Sequence, residues 1–239
     1  MKAVILAAGK GTRMKEITKE IPKPMVKIKG KPLLEHIITY VKNTGSTEFG
    51  LVVGYKQSIL QDYFGDGSSF GISITYLEQK VQNGTGAALD LARDFIDDEP
   101  FFFTFADVIT PPENYGGMLD YYTTHNCDAL LGLNMVDDPS KGAAVYLDED
   151  NTIIRMVEKP SAGTSTTNLN NGGIMILDSD VFSYTPRIQL SQRGEYELTD
   201  VFGMLRDDGR SLKGYVLSGY WKDVGTLEDL ESMNSLFGS

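Results

Sequence analysis

The sequence predicts an α/β protein built on a doubly wound, mostly parallel sheet flanked by helices. Two observations carry that expectation. Apolar runs of strand length alternate with amphipathic segments of helix length through the first half of the chain, the pattern of strands joined by helical crossovers. The first run, Lys2-Ala3-Val4-Ile5-Leu6-Ala7-Ala8, has no polar residue after Lys2 and stops at Gly9-Lys10-Gly11-Thr12-Arg13. A strand buried on both faces reads this way where it ends in a loop.

Strands are expected at 2–7, 50–54, 72–77 and 101–106, with helices at 32–44, 57–64 and 85–96 between them. Right-handed crossovers would gather the loops after the strands on one edge, where ligands bind. The second half is less regular. A helix is expected at 117–126, a strand at 128–135, and short strands near 143–147 and 153–158 around the turn Asp148-Glu149-Asp150-Asn151. A strand at 173–177, a helix near 197–206 and a strand at 212–217 follow, and a last helix runs from Thr226, its N-cap, to about Leu236. Without repeats, low-complexity tracts or a linker, residues 1–239 are expected to form a single domain.

The loop after the first strand points to chemistry. Glycines let backbone N–H groups approach an anion, and Arg13 and Lys23 add fixed positive charge. Lys23 stands between Pro22 and Pro24, which stiffen the local backbone. Together these residues describe a nucleoside triphosphate handled by loop backbone and two cations. A Walker A loop is absent, because Gly9-Lys10 is followed by Gly11 and not by Ser or Thr. A dinucleotide fingerprint is absent too: Met14 stands where a third glycine is needed, and Lys29-Gly30-Lys31 where an acidic residue is needed. A dehydrogenase is therefore disfavoured.

Composition narrows the rest. The net charge of −11 argues against a nucleic-acid-binding surface, and acidic runs such as Asp97-Asp98-Glu99 read as solvated loops. A single cysteine, Cys127, and two histidines, His36 and His125, leave no disulfide and no Cys/His metal cluster. The start directly into a strand implies no signal peptide, and no apolar run approaches the length of a membrane span. A cytoplasmic location without a membrane partner is the expectation.

Gly9-Lys10-Gly11-Thr12-Arg13-Met14 followed by Ile21-Pro22-Lys23-Pro24-Met25-Val26 resembles the signature of the sugar-1-phosphate nucleotidyltransferases, the NDP-sugar pyrophosphorylases that include glucose-1-phosphate thymidylyl- and uridylyltransferases. Further segments agree with it over nearly the whole chain. The resemblance implies a Rossmann-like, mixed sheet of the nucleotide-diphospho-sugar transferase type. Its nucleotide-binding half would cover about 1–110 and its sugar-phosphate half about 111–239, without the C-terminal β-helix domain that many members carry. The family loop usually continues Pro-Leu-Thr, where this chain has Glu16-Ile17-Thr18.

Site residues follow from the resemblance. Leu6, Ala8, Gly9, Gly11, Thr12 and Arg13 would hold the nucleotide, and Arg13, Lys23 and Asp107 would be catalytic. Gln79, whose amide offers both donor and acceptor to a pyrimidine edge, would read the base with Gly84 and Thr85. Asp107 ends the aromatic strand Phe101-Phe102-Phe103-Thr104-Phe105 after Ala106, where the family commonly has Gly. An ionised carboxylate there is costly unless paired or bound to metal. With Asp223, from Trp221-Lys222-Asp223-Val224-Gly225-Thr226, it would hold Mg²⁺. Gly142, Glu158, Lys159, Asn171 and Glu197 would bind the sugar phosphate, although Lys141 replaces the aromatic residue that usually precedes the glycine.

The implied reaction joins an NTP, UTP or dTTP by the pyrimidine reading, to a sugar 1-phosphate such as glucose 1-phosphate, giving NDP-sugar and pyrophosphate. The alternatives are transfer to a non-hexose phosphate, such as phosphocholine or a heptose phosphate, and a catalytically silent nucleotide-sugar-binding regulatory subunit. Homo-oligomerisation is left open.

Overall fold

The computed structural model describes residues 1–9, 11 and 14–237, with the backbone alone for residues 15–17. Its first half builds a parallel sheet. The strands are β1 (Lys2–Leu6), β2 (Lys27–Ile28), β3 (Lys31–Pro32), β4 (Glu48–Val53), β5 (Ser73–Glu78) and β6 (Phe101–Phe105). Between them run α1 (Lys15–Glu20), α2 (Leu33–Lys42), α3 (Gln57–Phe64) and α4 (Thr85–Asp90). In the main sheet β6, β1, β4 and β5 lie side by side, all parallel, while β2 and β3 form a separate two-residue ribbon.

The second half adds β7 (Val108–Ile109), α5 (Glu113–Thr124), β8 (Ala129–Met135), β9 (Ala143–Leu147), β10 (Ile153–Glu158) and β11 (Leu169–Leu177). It closes with α6 (Leu198–Asp207), β12 (Leu212–Val216), β13 (Lys222–Asp223) and α7 (Leu227–Leu236). β11 runs antiparallel to β6 and makes the sheet mixed. Its C-terminal residues pair with β6 on one side, whereas Asn170 on that side meets Ala144 of β9. β8 flanks β11 along both stretches, with a break in register between Asn171 and Met175.

The unpunctuated apolar runs have a physical reason. One core holds Ala3, Ile5 and Phe102 against α2, α3, α5 and α7. The other holds Val4, Phe101 and Phe103 against α4 and α6. Successive residues of a strand alternate faces, so a strand covered on both sides must be apolar throughout. Each fully buried Phe contributes roughly 1.5–3 kcal/mol of transfer free energy.

Several boundaries differ from the sequence expectation. The helix expected over 85–96 stops at Asp90, because the next turns tighten to i→i−3 bonds, Ala92 N–H to Leu89 O and Arg93 N–H to Asp90 O. The Arg93 guanidinium meanwhile reaches Asp90 and the Phe182 carbonyl. The helix expected at 117–126 begins earlier, at Glu113, and the strand expected at 173–177 begins at Leu169. No described helix is long and apolar enough to cross a membrane.

α7 begins in a reciprocal cap. Asp229 N–H donates to Thr226 Oγ1 at 3.1 Å, and Asp229 Oδ2 accepts from Thr226 N–H at 2.9 Å. Thr226→Ala should therefore cost about 1 kcal/mol and lower Tm by about 2–4 °C in thermal denaturation. An unchanged Tm would mean that α7 does not depend on its cap.

Candidate active site

The loop after β1 is pinned from several sides. Ala7 N–H donates to Val52 O at 2.7 Å, and Ala106 N–H donates to Leu6 O at 3.0 Å. Gly11 has φ +61°, and a Cβ there would lie 2.9 Å from Lys23 Cβ. Only glycine satisfies both constraints at low cost. Lys23 itself opens a single helical turn, Lys23–Met25, held by Pro22 and Pro24.

That turn delivers the Lys23 side chain, only 8% exposed, to two carboxylates. Lys23 Nζ donates to Asp107 Oδ2 and to Asp223 Oδ1, both at 2.7 Å. The backbone sets up the encounter. β7 and β13 pair antiparallel with Asp223 opposite Val108, and Val224 N–H donates to Asp107 O at 2.9 Å. Asp107 and Asp223 are thereby brought within reach of one cation, although 116 positions separate them in the sequence. Among the described residues no group of three or more His, Cys, Asp or Glu could hold a metal ion. The pair is a two-carboxylate, hard-oxygen set that already holds a cationic group, the donor set of a cation whose remaining ligands are water and phosphate.

Two cavities meet at these residues. The first, ≈ 450 Å³, is lined by Leu6, Ala8, Gly9, Gln79, Gly84 and Thr85, and also by Lys23. The second, ≈ 1270 Å³, is lined by Gly142, Asn171, Trp221 and Asp223. Phe105, Asp107 and Lys159 line both. Lys159 reaches this position because β10 ends at Glu158 and Lys159 turns into the left-handed region, φ 41°. The turn is fixed by Lys159 N–H donating to Gly142 O at 2.8 Å, and such strained residues gather at functional sites.

Gln79, Gly84 and Thr85, expected at the base, have structural duties. Gln79 is nearly buried and its Nε2 donates to Gly84 O at 3.3 Å. Gly84 has φ +121°, and a Cβ there would stand 2.3 Å from Tyr196 O. Thr85 Oγ1 accepts from Leu198 N–H at 3.1 Å and so caps α6. Gln82, absent from the sequence reading, lines the same cavity and donates through Nε2 to Ala8 O. Its place three residues after Gln79 was the available signal.

The carboxylates expected at the sugar, Glu158 and Glu197, are not among the residues lining either cavity. Glu197 is 6% exposed and lines neither cavity; its Oε1 accepts from Arg193 Nη2 and from Ser191 Oγ at 3.0 Å. Glu158 Oε2 accepts from Thr199 Oγ1 at 2.6 Å, and Arg193 Nη2 stands 3.5 Å from Oε1. Burial raises the Glu158 pKa, with Glu197 adding to the rise and Thr199 and Arg193 opposing it. Thr12 and Arg13 lie outside the described residues.

Comparison with known proteins places the chain in a family. The family profile described as Nucleotidyl transferase matches residues 2–238. The bifunctional protein GlmU of Methanococcus maripaludis is 39% identical over 237 residues, covering 99% of this chain and 54% of its own. The chain thus spans about half the length of that relative. A structure assigned as a glucose-1-phosphate thymidylyltransferase from Bacillus anthracis, solved with sucrose, superposes with TM-score 0.89 at 30% identity, covering 99% of this chain and 94% of that one. UDP-glucose pyrophosphorylase in complex with UDP-glucose superposes with TM-score 0.88 at 26% identity, covering 99% and 98%.

Lys23→Met should leave Asp107 and Asp223 facing each other without their shared cation. Scanning fluorimetry should then show a lowered Tm that millimolar Mg²⁺ restores, while the unsubstituted protein responds less. A variant whose Tm ignores Mg²⁺ would show that the carboxylates do not form a cation site. Glu158 provides a pH test. A carboxyl whose folded pKa is raised holds its proton more tightly when folded, so its penalty grows as pH rises from the ordinary 4.5 through the folded value. Glu158→Gln should therefore raise Tm at pH 7.5, and the gain should vanish below pH 4.5. A gain that persists unchanged in acid would have another origin.

Proposed function

Because this chain belongs to the nucleotidyl transferase family, we propose that it transfers a nucleotidyl group from an NTP to a sugar 1-phosphate, giving an NDP-sugar and pyrophosphate. The observation that carries the reading is the junction of the two cavities at Asp107 and Lys159, with Lys23 beside it. A nucleotide in the smaller cavity and a sugar phosphate in the larger one would meet there.

The attacking group is a phosphate oxygen of the sugar 1-phosphate, already anionic at neutral pH, so no general base is required. It bonds to the α-phosphorus as the bond to the β-phosphate oxygen breaks, and pyrophosphate leaves with that electron pair. Catalysis of such a step is positioning and charge neutralisation. Asp107 and Asp223 would hold Mg²⁺, which when bound would neutralise charge on the α-phosphate. Lys23 and Lys159 flank the junction and would neutralise the transferred and attacking phosphates. Arg13 would do the same for the leaving pyrophosphate. Gln79, with Gly84 and Thr85, would read a pyrimidine, so UTP or dTTP is the nucleotide. Glucose 1-phosphate is the leading acceptor, supported by the glucose named for both structural neighbours. Asn171 and Gly142 would contact the sugar. Glu158 and Glu197, which line neither cavity and are linked through Arg193, would support the sugar site from behind Lys159. The net charge of −11 supports an enzyme without nucleic-acid partners.

The test is pyrophosphate release with Mg²⁺, across the five common nucleoside triphosphates and a panel of sugar 1-phosphates, beside Asp107→Ala. Release should require both substrates, favour UTP or dTTP, and fall at least a hundredfold in the variant, on the order expected when a charge-stabilising group is removed. Nucleotide-sugar binding without release for any pair would instead support a regulatory subunit.

A further inference from the structure

Asn134 on β8 and Asn170 on β11 sit opposite each other in the ladder, 3% and 6% exposed. Asn170 Nδ2 donates to Asn134 Oδ1 at 3.0 Å and to the Asn171 carbonyl at 2.9 Å. The other half of each carboxamide is stranded: Asn134 Nδ2 and Asn170 Oδ1 are buried with no hydrogen-bond partner. A half-satisfied buried polar pair is worse for stability than an apolar pair of the same size. Each such group in a native fold calls for an explanation.

Location supplies one. Both residues line the larger cavity, beside Gly142, Lys159 and Asn171. A Cβ on Gly142 would lie 2.1 Å from Asn170 Oδ1, so this carboxamide fills the space that a side chain at 142 would take. The break in β11 register begins directly after, at Asn171, whose Oδ1 accepts from Gly173 N–H at 3.0 Å. The stranded donor and acceptor thus lie just beneath the wall of the cavity, where a small rotation about χ2, a soft torsion, would present them.

We infer that Asn134 and Asn170 form a specificity subsite that reads a neutral sugar substituent able both to donate and to accept a hydrogen bond, a hydroxyl or an acetamido group. The inference rests on the reading that this cavity takes the sugar of a sugar 1-phosphate. A carboxylate substituent would offer nothing to Oδ1, an ammonium nothing to Nδ2, and a deoxy position nothing to either.

The experiment uses Asn134→Leu/Asn170→Leu, which removes both carboxamides at similar volume. Calorimetry measures the Kd of UDP-glucose, UDP-N-acetylglucosamine and dTDP-glucose against UDP and dTDP, in both proteins, with Tm alongside. The expected result is an unchanged or higher Tm, unchanged affinity for UDP and dTDP, and a loss of about tenfold or more for at least one nucleotide-sugar. Loss with the glucose forms assigns a hydroxyl, and loss confined to the N-acetylglucosamine form assigns the acetamido group. A stable double variant that binds every nucleotide-sugar as before, or that weakens UDP equally, overturns the subsite. Failure of the wider reading shows differently: the unsubstituted protein would then bind no nucleotide-sugar more tightly than its nucleoside diphosphate, and the subsite would fall with it. Should the double variant not fold, Asn134→Thr is judged by the same rule.

Discussion

The Lys23 ammonium between Asp107 and Asp223 is the contact on which the rest of the site depends. Its three groups come from a rigid turn near the N-terminus, the end of a central strand and a two-residue strand near the C-terminus. Two carboxylates this close repel by roughly 3 kcal/mol at an effective dielectric of 20. The ammonium offsets that repulsion and uses no solvent to do so, since Lys23 is almost fully buried. The same geometry prepares the carboxylates for any other cation. Were a metal ion and phosphates to bind as proposed, Lys23 would give way in part, and its charge would then stand beside the phosphates.

β11 divides the space around that contact. Its C-terminal stretch belongs to the parallel sheet through β6, and its N-terminal stretch faces β9. At the break stand Gly172 and Gly173, the latter at φ +75° and packed so closely that a Cβ would lie 2.7 Å from the Phe105 ring. Gly172 O accepts from Trp221 Nε1 at 2.9 Å, which ties the break to the strand carrying Asp223. The opening of the sheet, the placement of Asp223 and the wall of the larger cavity are therefore one piece of packing.

Much of this was legible in the sequence because it is local. Strands β1 and β6 read correctly since burial on both faces leaves a continuous apolar run. Gly9, Lys23, Gln79, Asp107 and Asp223 stand in recognisable strings, and each lines at least one of the two cavities, whereas Gly11 lines neither. What escaped is non-local. The two-residue strands β7 and β13 have no periodicity to detect, and they exist only because residues far apart in sequence pair. The early end of α4 depends on Asp90 meeting Arg93 and Thr185. The turning of Glu197 towards Arg193 follows from charge partners that no strand pattern announces.

Several side chains that weaken the fold stand on or next to the wall of the larger cavity. Glu158 carries a raised pKa from burial, Lys159 sits in a left-handed conformation, and Asn134 and Asn170 each strand a polar atom. Similar positions occur elsewhere too, such as the unpartnered Tyr115 hydroxyl and the positive φ of Lys29, Lys56 and Asn151. A fold optimised for stability alone would have relaxed these positions, because apolar or smaller residues were available at each. Lys159, Asn134 and Asn170 share one wall of the larger cavity, which is the wall proposed to take the sugar. Its mixture of cation, carboxylate and uncharged amide, from Lys159, Asp107, Asn134 and Asn170, would suit the proposed ligand, a sugar phosphate with an anionic end and a hydroxylated body.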